Sequence, residues 1–179
     1  MTMTSEELLA YLEDHGIEAV TYEHPPVHTV QESQKLRGDV PGVHTKNLFL
    51  RDSKKAFFLV VTNEATTVSL KDLRHKINAR GALSFGTPEA LLELLGVTPG
   101  AVSLLALVND RGHKVVPVID ESLLKAGLVN CHPLSNRRTT SLSAEAILRF
   151  LSTTGHLPLR MSFANDGNID LRTTTNDPK

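Results

Sequence analysis

The sequence predicts a single domain of the mixed α/β class, in which helices flank a central mixed, largely antiparallel sheet. Three observations lead to this prediction. Several segments carry helix-capping signals, and several others are short apolar runs typical of strands. The two kinds mix along the chain without the strict βαβ alternation of a parallel sheet. The 179 residues suit one such domain with a hydrophobic core of its own.

Most of the predicted helices begin at a residue that can cap them. Thr4 and Glu7 have the spacing of a capping box, and Gly16 ends the helix that they open. Thr29 and Glu32 form a second capping box, which opens a helix that ends near residue 38. Further helices are predicted over residues 69–78, 87–95, 121–125 and 143–151.

Short apolar segments predict the strands. Residues 56–61 form a continuous apolar run, which is typical of a strand buried on both faces. Residues 103–108 and 114–119 are expected to pair as a hairpin around the turn at 109–112. The other predicted strands cover residues 19–22, 44–50, 83–85, 128–131 and 138–142. Residues 164–179 contain almost no apolar side chains and are expected to form a disordered tail.

Composition limits the possible environments and partners. The formal net charge of −1 lacks the strong positive excess of a protein that binds nucleic acid mainly through phosphates, so any contact with RNA must be local or shared. No apolar stretch approaches the roughly 20 residues of a membrane span. Cys131 is the only cysteine, which favours a reducing compartment. With no signal-peptide pattern at the start, we expect a cytoplasmic protein that binds neither membrane nor DNA.

Lys46 is the first residue that could carry chemistry. In a strand it shares a face with Leu48 and Leu50, so its ammonium either reaches out to water or enters a pocket. His132 follows an apolar strand and could act as a base, an oxyanion donor or a hydrogen-bonding group. Cys131 and His132 are neighbours in a strand and point to opposite faces, so a thiol–imidazole pair is disfavoured.

Two further segments have weaker signals. A glycine-bounded loop over residues 96–103 could present backbone N–H groups to an anion or a carbonyl oxygen, although an ordinary helix stop explains it as well. The basic segment over residues 71–80 could touch a phosphate backbone, but we favour a solvated helix face. The eight histidines are scattered without the spacing of a metal site, so no metal or other cofactor is expected.

Four motifs, in this order, resemble the YbaK/ProX family of aminoacyl-tRNA deacylases, particularly the free-standing prolyl-tRNA editing proteins. The motifs are Tyr22-Glu23-His24-Pro25 with Thr29-Val30, His44-Thr45-Lys46-Asn47-Leu48-Phe49-Leu50, Gly96-Val97-Thr98-Pro99-Gly100, and His132-Pro133-Leu134 with Asn136 and Thr139. The resemblance covers about the first 150 residues, and an editing domain is expected over residues 1–163. Many relatives have a Gly-x-x-x-Pro loop, whereas here Leu104 stands in place of the proline.

The resemblance implies hydrolysis of the ester between an amino acid and the terminal ribose of tRNA, without a metal or a covalent enzyme nucleophile. The expected substrate is mischarged tRNA(Pro), above all alanyl-tRNA(Pro), and prolyl-tRNA synthetase is a possible partner. On this basis Lys46 is the expected catalytic residue. The residues expected to bind substrate are Thr29, Asn47, Gly100, Ala101, Val102, Ser103, His132 and Asn136.

Other functions stay open at this stage. The chain could deacylate seryl-, threonyl- or cysteinyl-charged tRNA, or bind tRNA or a synthetase without hydrolysis. Composition alone would also allow an unrelated hydrolase of small molecules.

Overall fold

A computed structural model describes residues 2–26, residue 35 and residues 40–163. These residues form a mixed α/β fold with one large sheet, as predicted. The second predicted capping box and the predicted C-terminal tail lie outside the described residues. No helix in the described part of the chain is both long and apolar enough to cross a membrane.

Helix caps appear where the sequence predicts them. Thr4 Oγ1 accepts the Glu7 N–H at 3.1 Å and the Glu7 carboxylate accepts the Thr4 N–H at 2.8 Å, which completes the first capping box. Ser69, Thr87 and Ser143 cap later helices, each with a side-chain oxygen that accepts the N–H of the residue three positions further on. The helices are α1 (Ser5–Asp14), α2 (Leu70–Lys76), α3 (Pro88–Leu95), α4 (Glu121–Leu124) and α5 (Ala144–Thr154).

The described residues form eight strands: β1 (Val20–Glu23), β2 (Val43–Arg51), β3 (Phe57–Asn63), β4 (Ser84–Phe85), β5 (Val115–Asp120), β6 (Val129–Cys131), β7 (Arg138–Leu142) and β8 (Leu159–Met161). Their order in the sheet is β1-β7-β6-β2-β3-β5-β8, with β4 beside β2. Four of the seven strand pairings are antiparallel and three are parallel, which fits the mixed, largely antiparallel sheet that the sequence predicts.

Alternation along β2 and β3 sends side chains into two separate cores. Phe49 and Leu59 face the larger core, which α1, α3 and α5 cover. Leu50 and Val60 face a smaller core on the other side of the sheet, where Leu73 of α2 packs. Residues 57–61 of β3 are covered on both faces, as the continuous apolar run predicts.

The predicted hairpin over residues 103–119 is wrong. Residues 115–120 do form strand β5, but Leu104–Asn109 is a 3₁₀ helix that begins at Ser103, whose Oγ accepts the Leu105 N–H at 3.1 Å. All five apolar residues of this segment are buried in the larger core. A short apolar run that is buried on every side has no periodicity to separate strand from helix, so the pattern favoured the wrong element.

Candidate active site

The middle of β2 has a neighbouring strand on one side only. On one side β3 runs along it from Thr45 to Arg51, whereas on the other side β6 ends its pairing at His44 and β4 begins at Leu50. The Phe49 carbonyl also accepts the Gly86 N–H at 2.9 Å, so among the described strands residues 45–48 border an opening in the sheet. The chain leaves β6 at this opening, in the loop of residues 132–137. We call the opening and this loop the β2 notch.

Lys46 lies at the notch on the face that the sequence predicts, with Leu48 and Leu50, over the smaller core. Its side chain is half-buried, and Nζ donates a hydrogen bond to the backbone carbonyl of Thr66. Thr66 is buried in the segment between β3 and α2, so that segment fixes the position of the ammonium. An ammonium has three N–H donors, and the Thr66 contact uses one of them.

Asn47 points to the opposite face of the sheet. Its Nδ2 donates to Thr45 Oγ1 at 3.4 Å, while its Oδ1 is buried and has no hydrogen-bond partner among the described residues. A buried acceptor without a partner is costly in a folded protein. Asn47 Oδ1 is therefore a candidate acceptor for a donor group on a substrate.

A hydrogen bond to the backbone fixes which ring nitrogen of His132 carries the proton. Nδ1 lies 2.9 Å from the carbonyl oxygen of Arg138, and because a carbonyl can only accept, Nδ1 carries the ring proton. Burial lowers the pKa of His132, and the charge of His24 lowers it further, against the effect of the Arg138 hydrogen bond. The neutral ring therefore has a free lone pair on Nε2, which excludes the oxyanion-donor role and leaves the roles of base and hydrogen-bond acceptor.

Register relates His132 to Lys46. Val43 pairs with Val129 and His44 with Asn130 in a parallel ladder, and β6 ends one residue later at Cys131. The chain therefore leaves the sheet at His132, next to the part of β2 that holds Lys46. The described contacts of the His132 ring lie on the side of β7, with the Arg138 carbonyl and with His24. Lys46 and the backbone of His132 thus border the same opening.

His24 supports this arrangement and was not among the predicted site residues. Its Nδ1 donates to the Pro25 carbonyl at 2.8 Å, and its Nε2 shares a hydrogen bond with the Thr139 hydroxyl at 2.8 Å. The His24 and His132 rings are 6.5 Å apart between centroids. The motif around residues 22–25 could have indicated His24. Thr66 and Arg138 act through backbone carbonyls, which no side-chain pattern can indicate.

The loop of residues 100–103 meets the loop of the notch at one point. A Cβ added to Gly100 would lie 3.5 Å from Asn136 Nδ2, so these two predicted binding residues are neighbours. Ala101 and Ser103 are buried, and Val102 is half-buried against the larger core. The Ala101 N–H donates to the Thr98 carbonyl at 2.9 Å, so this group is engaged within the loop. Gly100 is the exposed member of the four.

Three other predictions bear on the site. Thr29 lies outside the described residues. Cys131 is a core residue, 2 % exposed, and burial raises the pKa of its thiol to about 12 despite a hydrogen bond with Thr45, so it is a poor nucleophile. Within the described part of the chain, no three His, Cys, Asp or Glu side chains group to hold a metal ion.

Comparison with known proteins identifies the family. Residues 24–150 match the family model of the aminoacyl-tRNA editing domain, and the chain belongs to this family. It is 40% identical over 162 residues to prolyl-tRNA synthetase associated domain-containing protein 1 of Xenopus laevis, covering 88% of this chain and 96% of that protein. It is 34% identical over 152 residues to the prolyl-tRNA editing protein ProX of Acetoanaerobium sticklandii, covering 84% and 92% of the two chains.

Solved structures share the fold. A crystal structure described as that of a proposed trans-editing enzyme for prolyl tRNA synthetase aligns with a TM-score of 0.68 at 20% identity, over 92% of this chain and all of that one. A hypothetical protein, APE2540, aligns with a TM-score of 0.66 at 18% identity, over 84% of this chain and 95% of that one. At these identities the likeness concerns the fold alone.

Proposed function

We propose that this protein is a trans-editing hydrolase that removes the amino acid from mischarged tRNA(Pro), above all from alanyl-tRNA(Pro). The observation that carries the proposal is a half-buried lysine, Lys46, at an opening of the sheet that the loop of His132 also borders, in a chain of the editing family. The similarity to ProX supports the prolyl system. Such an enzyme acts where translation takes place, for which we propose the cytoplasm, and prolyl-tRNA synthetase is a proposed partner.

In the proposed reaction, water attacks the carbonyl carbon of the aminoacyl ester. The ester C–O bond breaks, the ribose oxygen leaves with a proton, and the free amino acid is released. A ribose hydroxyl of the substrate assists the attack. Lys46 supplies positive charge close to the ester, where negative charge grows on the carbonyl oxygen in the transition state. His132 Nε2 accepts a hydrogen bond from the substrate or from the attacking water.

The remaining predicted residues form the walls of the aminoacyl pocket in this proposal. Asn136 and the exposed backbone at Gly100 are neighbours and close one side. Asn47 Oδ1 lies on the opposite face of the sheet from Lys46, so it would accept from an α-ammonium or a side-chain hydroxyl that reaches through the notch. The loop is held in shape by its less exposed residues, Ala101, Val102 and Ser103. Ser103 contributes by capping the 3₁₀ helix.

Selectivity must come from the size of the pocket. A synthetase site built for proline rejects the smaller alanine poorly, because a missing methylene changes binding by only about 1–3 kcal/mol. A second site that is too small for proline can reject the correct product by steric exclusion, since a larger group must displace packed atoms. Serine is the closest competitor, because Asn47 or His132 could bind its hydroxyl.

A second candidate function is binding to tRNA or to a synthetase without hydrolysis. The name of the Xenopus laevis relative refers to an associated domain and not to an enzyme, which favours this alternative. The two candidates differ in turnover, so an assay of catalysis separates them.

The test is a panel of esters on one tRNA. Purified protein is mixed in excess with alanyl-, seryl-, threonyl-, cysteinyl- and prolyl-tRNA(Pro), and release of the amino acid is followed in single turnover. We expect fast release of alanine and very slow release of proline. Faster seryl, threonyl or cysteinyl release would replace the alanine preference while keeping the editing function. Rapid release of proline, or no release from any ester, would contradict the proposal.

A further inference from the structure

Helix α2 carries a basic face away from the sheet. Lys71, Arg74 and His75 are spaced three and four residues apart and therefore share one side of the helix. Leu73 and Ile77 lie on the other side and are buried in the smaller core. Lys71 and His75 are exposed, and Arg74 is half-buried. The helix is thus anchored by its apolar side and presents positive charge to solvent.

The exit of α2 is fastened to the turn between β2 and β3. The Arg80 N–H donates to Asp52 Oδ2 at 3.0 Å, and the Arg80 carbonyl accepts the Ser53 N–H at 3.0 Å. Lys54 and Lys55 are exposed in this turn. The structure therefore joins two basic segments that lie apart in the sequence. We call the combined set the basic track: Lys54, Lys55, Lys71, Arg74, His75 and Arg80.

Negative charge is sparse along the basic track. Residues 51–80 contain seven Lys or Arg and three Asp or Glu, whereas the whole chain has 19 and 20. This stretch therefore has a formal net charge of +4 in a chain of net charge −1. Asp52 is buried, and both of its carboxylate oxygens accept hydrogen bonds from backbone N–H groups, those of Lys54, Ala56 and Arg80. The near-neutral total conceals a strongly basic region.

The basic track is connected to Lys46 through the segment between β3 and α2. This segment includes Thr66, whose carbonyl accepts a hydrogen bond from the Lys46 ammonium. Helix α2 then runs over the face of the sheet that bears Lys46, towards the β2–β3 turn. From Lys46 to Arg51 strand β2 covers about 17 Å, at roughly 3.3 Å per residue. A ligand with one end at Lys46 can follow the track over this distance.

We propose that the basic track binds the phosphate backbone of the tRNA whose aminoacyl end lies at the β2 notch. A chain of phosphates carries evenly repeated negative charge, which matches spaced, flexible cations along an exposed path. Contacts of this kind position an RNA without reading its sequence. The inference rests on the proposed function, because it takes the ligand to be the substrate's own RNA.

Helix stability alone does not explain the basic track. Cations in the last turn of a helix interact favourably with its dipole, which accounts for Arg74 and His75. Lys71 lies in the first turn, where the dipole disfavours a cation. Lys54 and Lys55 belong to no helix. The helix dipole therefore does not account for these three lysines.

The experiment measures binding of uncharged tRNA(Pro) by fluorescence anisotropy at several salt concentrations, so that it needs no catalysis. The variant Lys54→Gln/Lys71→Gln removes two charges from the track. Its matched control, Lys125→Gln/Arg160→Gln, removes two exposed charges that lie on the other face of the sheet. Loss of two phosphate contacts should weaken binding several-fold and reduce the slope of log K against log salt by about 1.5, at roughly 0.7–0.9 per contact.

The outcomes separate this proposal from the proposed function. Weaker binding and a smaller salt slope in the track variant, with an unchanged control, support the track whether or not the protein hydrolyses any ester. Equal affinity and slope in the track variant and the wild type overturn it, even if alanyl-tRNA(Pro) is deacylated. A track that serves an acidic protein surface instead would give this second outcome.

Discussion

His132 controls the chemistry at the residue scale through the position of a single proton. The Arg138 carbonyl holds that proton on Nδ1, and burial keeps the pKa of the ring below its ordinary value of 6.5. A group with a depressed pKa stays neutral to lower pH than a free histidine. We therefore expect the single-turnover rate to remain level as pH falls through 6.5 and to decline only below it.

The variant His132→Gln tests this expectation. It should lower the rate by about 10²-fold, a typical contribution of acid–base groups, and should remove the decline at low pH. His24→Gln removes a neighbouring charge that lowers the His132 pKa, so its decline should begin at a slightly higher pH. The role of His132 would be contradicted if the rate fell around pH 6.5 and fell equally in the wild type and in His132→Gln.

Cys131 is expected to be dispensable for catalysis. Its thiol is 2 % exposed, and burial raises its pKa to about 12, so a thiolate nucleophile is absent near neutral pH. Cys131→Ala should keep the deacylation rate within about twofold, at a stability cost of about 1 kcal/mol for the lost sulfur. The rate should also survive a strong chelator. A chelator-induced loss that zinc restores would identify a metallohydrolase instead.

Sequence reasoning identified side chains at the site but not their supports. The face of Lys46 followed from strand alternation, which also argued against a pair of Cys131 with His132. The proton position on His132 depends on the carbonyl of Arg138, and the Lys46 ammonium rests on the carbonyl of Thr66. Backbone groups are the same in every residue, so only the fold reveals which of them meets a side chain.

At the scale of elements, Asp110 joins the turn before β5 to the end of α5. It is 3 % exposed, accepts the Lys114 and Val115 N–H groups, and lies 3.0 Å from His156 Nε2. Burial opposes its ionisation, but these hydrogen bonds outweigh that effect and lower its pKa. Removing one partner of a buried pair typically costs about 3 kcal/mol, so Asp110→Ala should lower the free energy of unfolding by about this amount.

The sign of the pH dependence follows from the lowered pKa of Asp110. As the pH falls, the Asp110 carboxylate takes up its proton at a higher pH in the unfolded state than in the folded state. The stabilisation that the ionised carboxylate gives to the folded state is therefore complete above the unfolded pKa. It is lost as pH falls through the lower, folded pKa. Urea titrations of the wild type and Asp110→Asn should therefore converge in acid. A stability difference that grows as the solution becomes more acidic would contradict this account.

The same region shows why one element was predicted wrongly. Capped helices such as α1 and α3 have a polar end and an apolar side, and both features are visible in the sequence. The segment Leu104–Asn109 is buried on all sides, so its pattern carries no period. Strand β8, which was not predicted, has three residues at the edge of the sheet, too few to form a recognisable alternation.

At the scale of the whole molecule, the fold class was predictable and the pairing of strands was not. The order of the sheet places β6 and β2 side by side although about 80 residues separate them in the chain. This parallel contact brings the loop that begins at His132 to the opening that Lys46 borders. The net charge of −1 did not indicate the basic track, because it averages over the whole chain. The track is assembled in the fold, by the contact between Arg80 and the β2–β3 turn.

The most direct test of the central claim is the single-turnover rate of alanyl-tRNA(Pro) hydrolysis by wild type and Lys46→Ala, with Lys125→Ala as the matched surface control. Loss of one group that stabilises transition-state charge typically lowers a rate by about 10²–10³-fold. We predict a loss of this size in Lys46→Ala, whose thermal melting curve should match that of the wild type. The rate of Lys125→Ala should equal the wild-type rate. A folded Lys46→Ala protein that hydrolyses the ester at the wild-type rate would contradict the account.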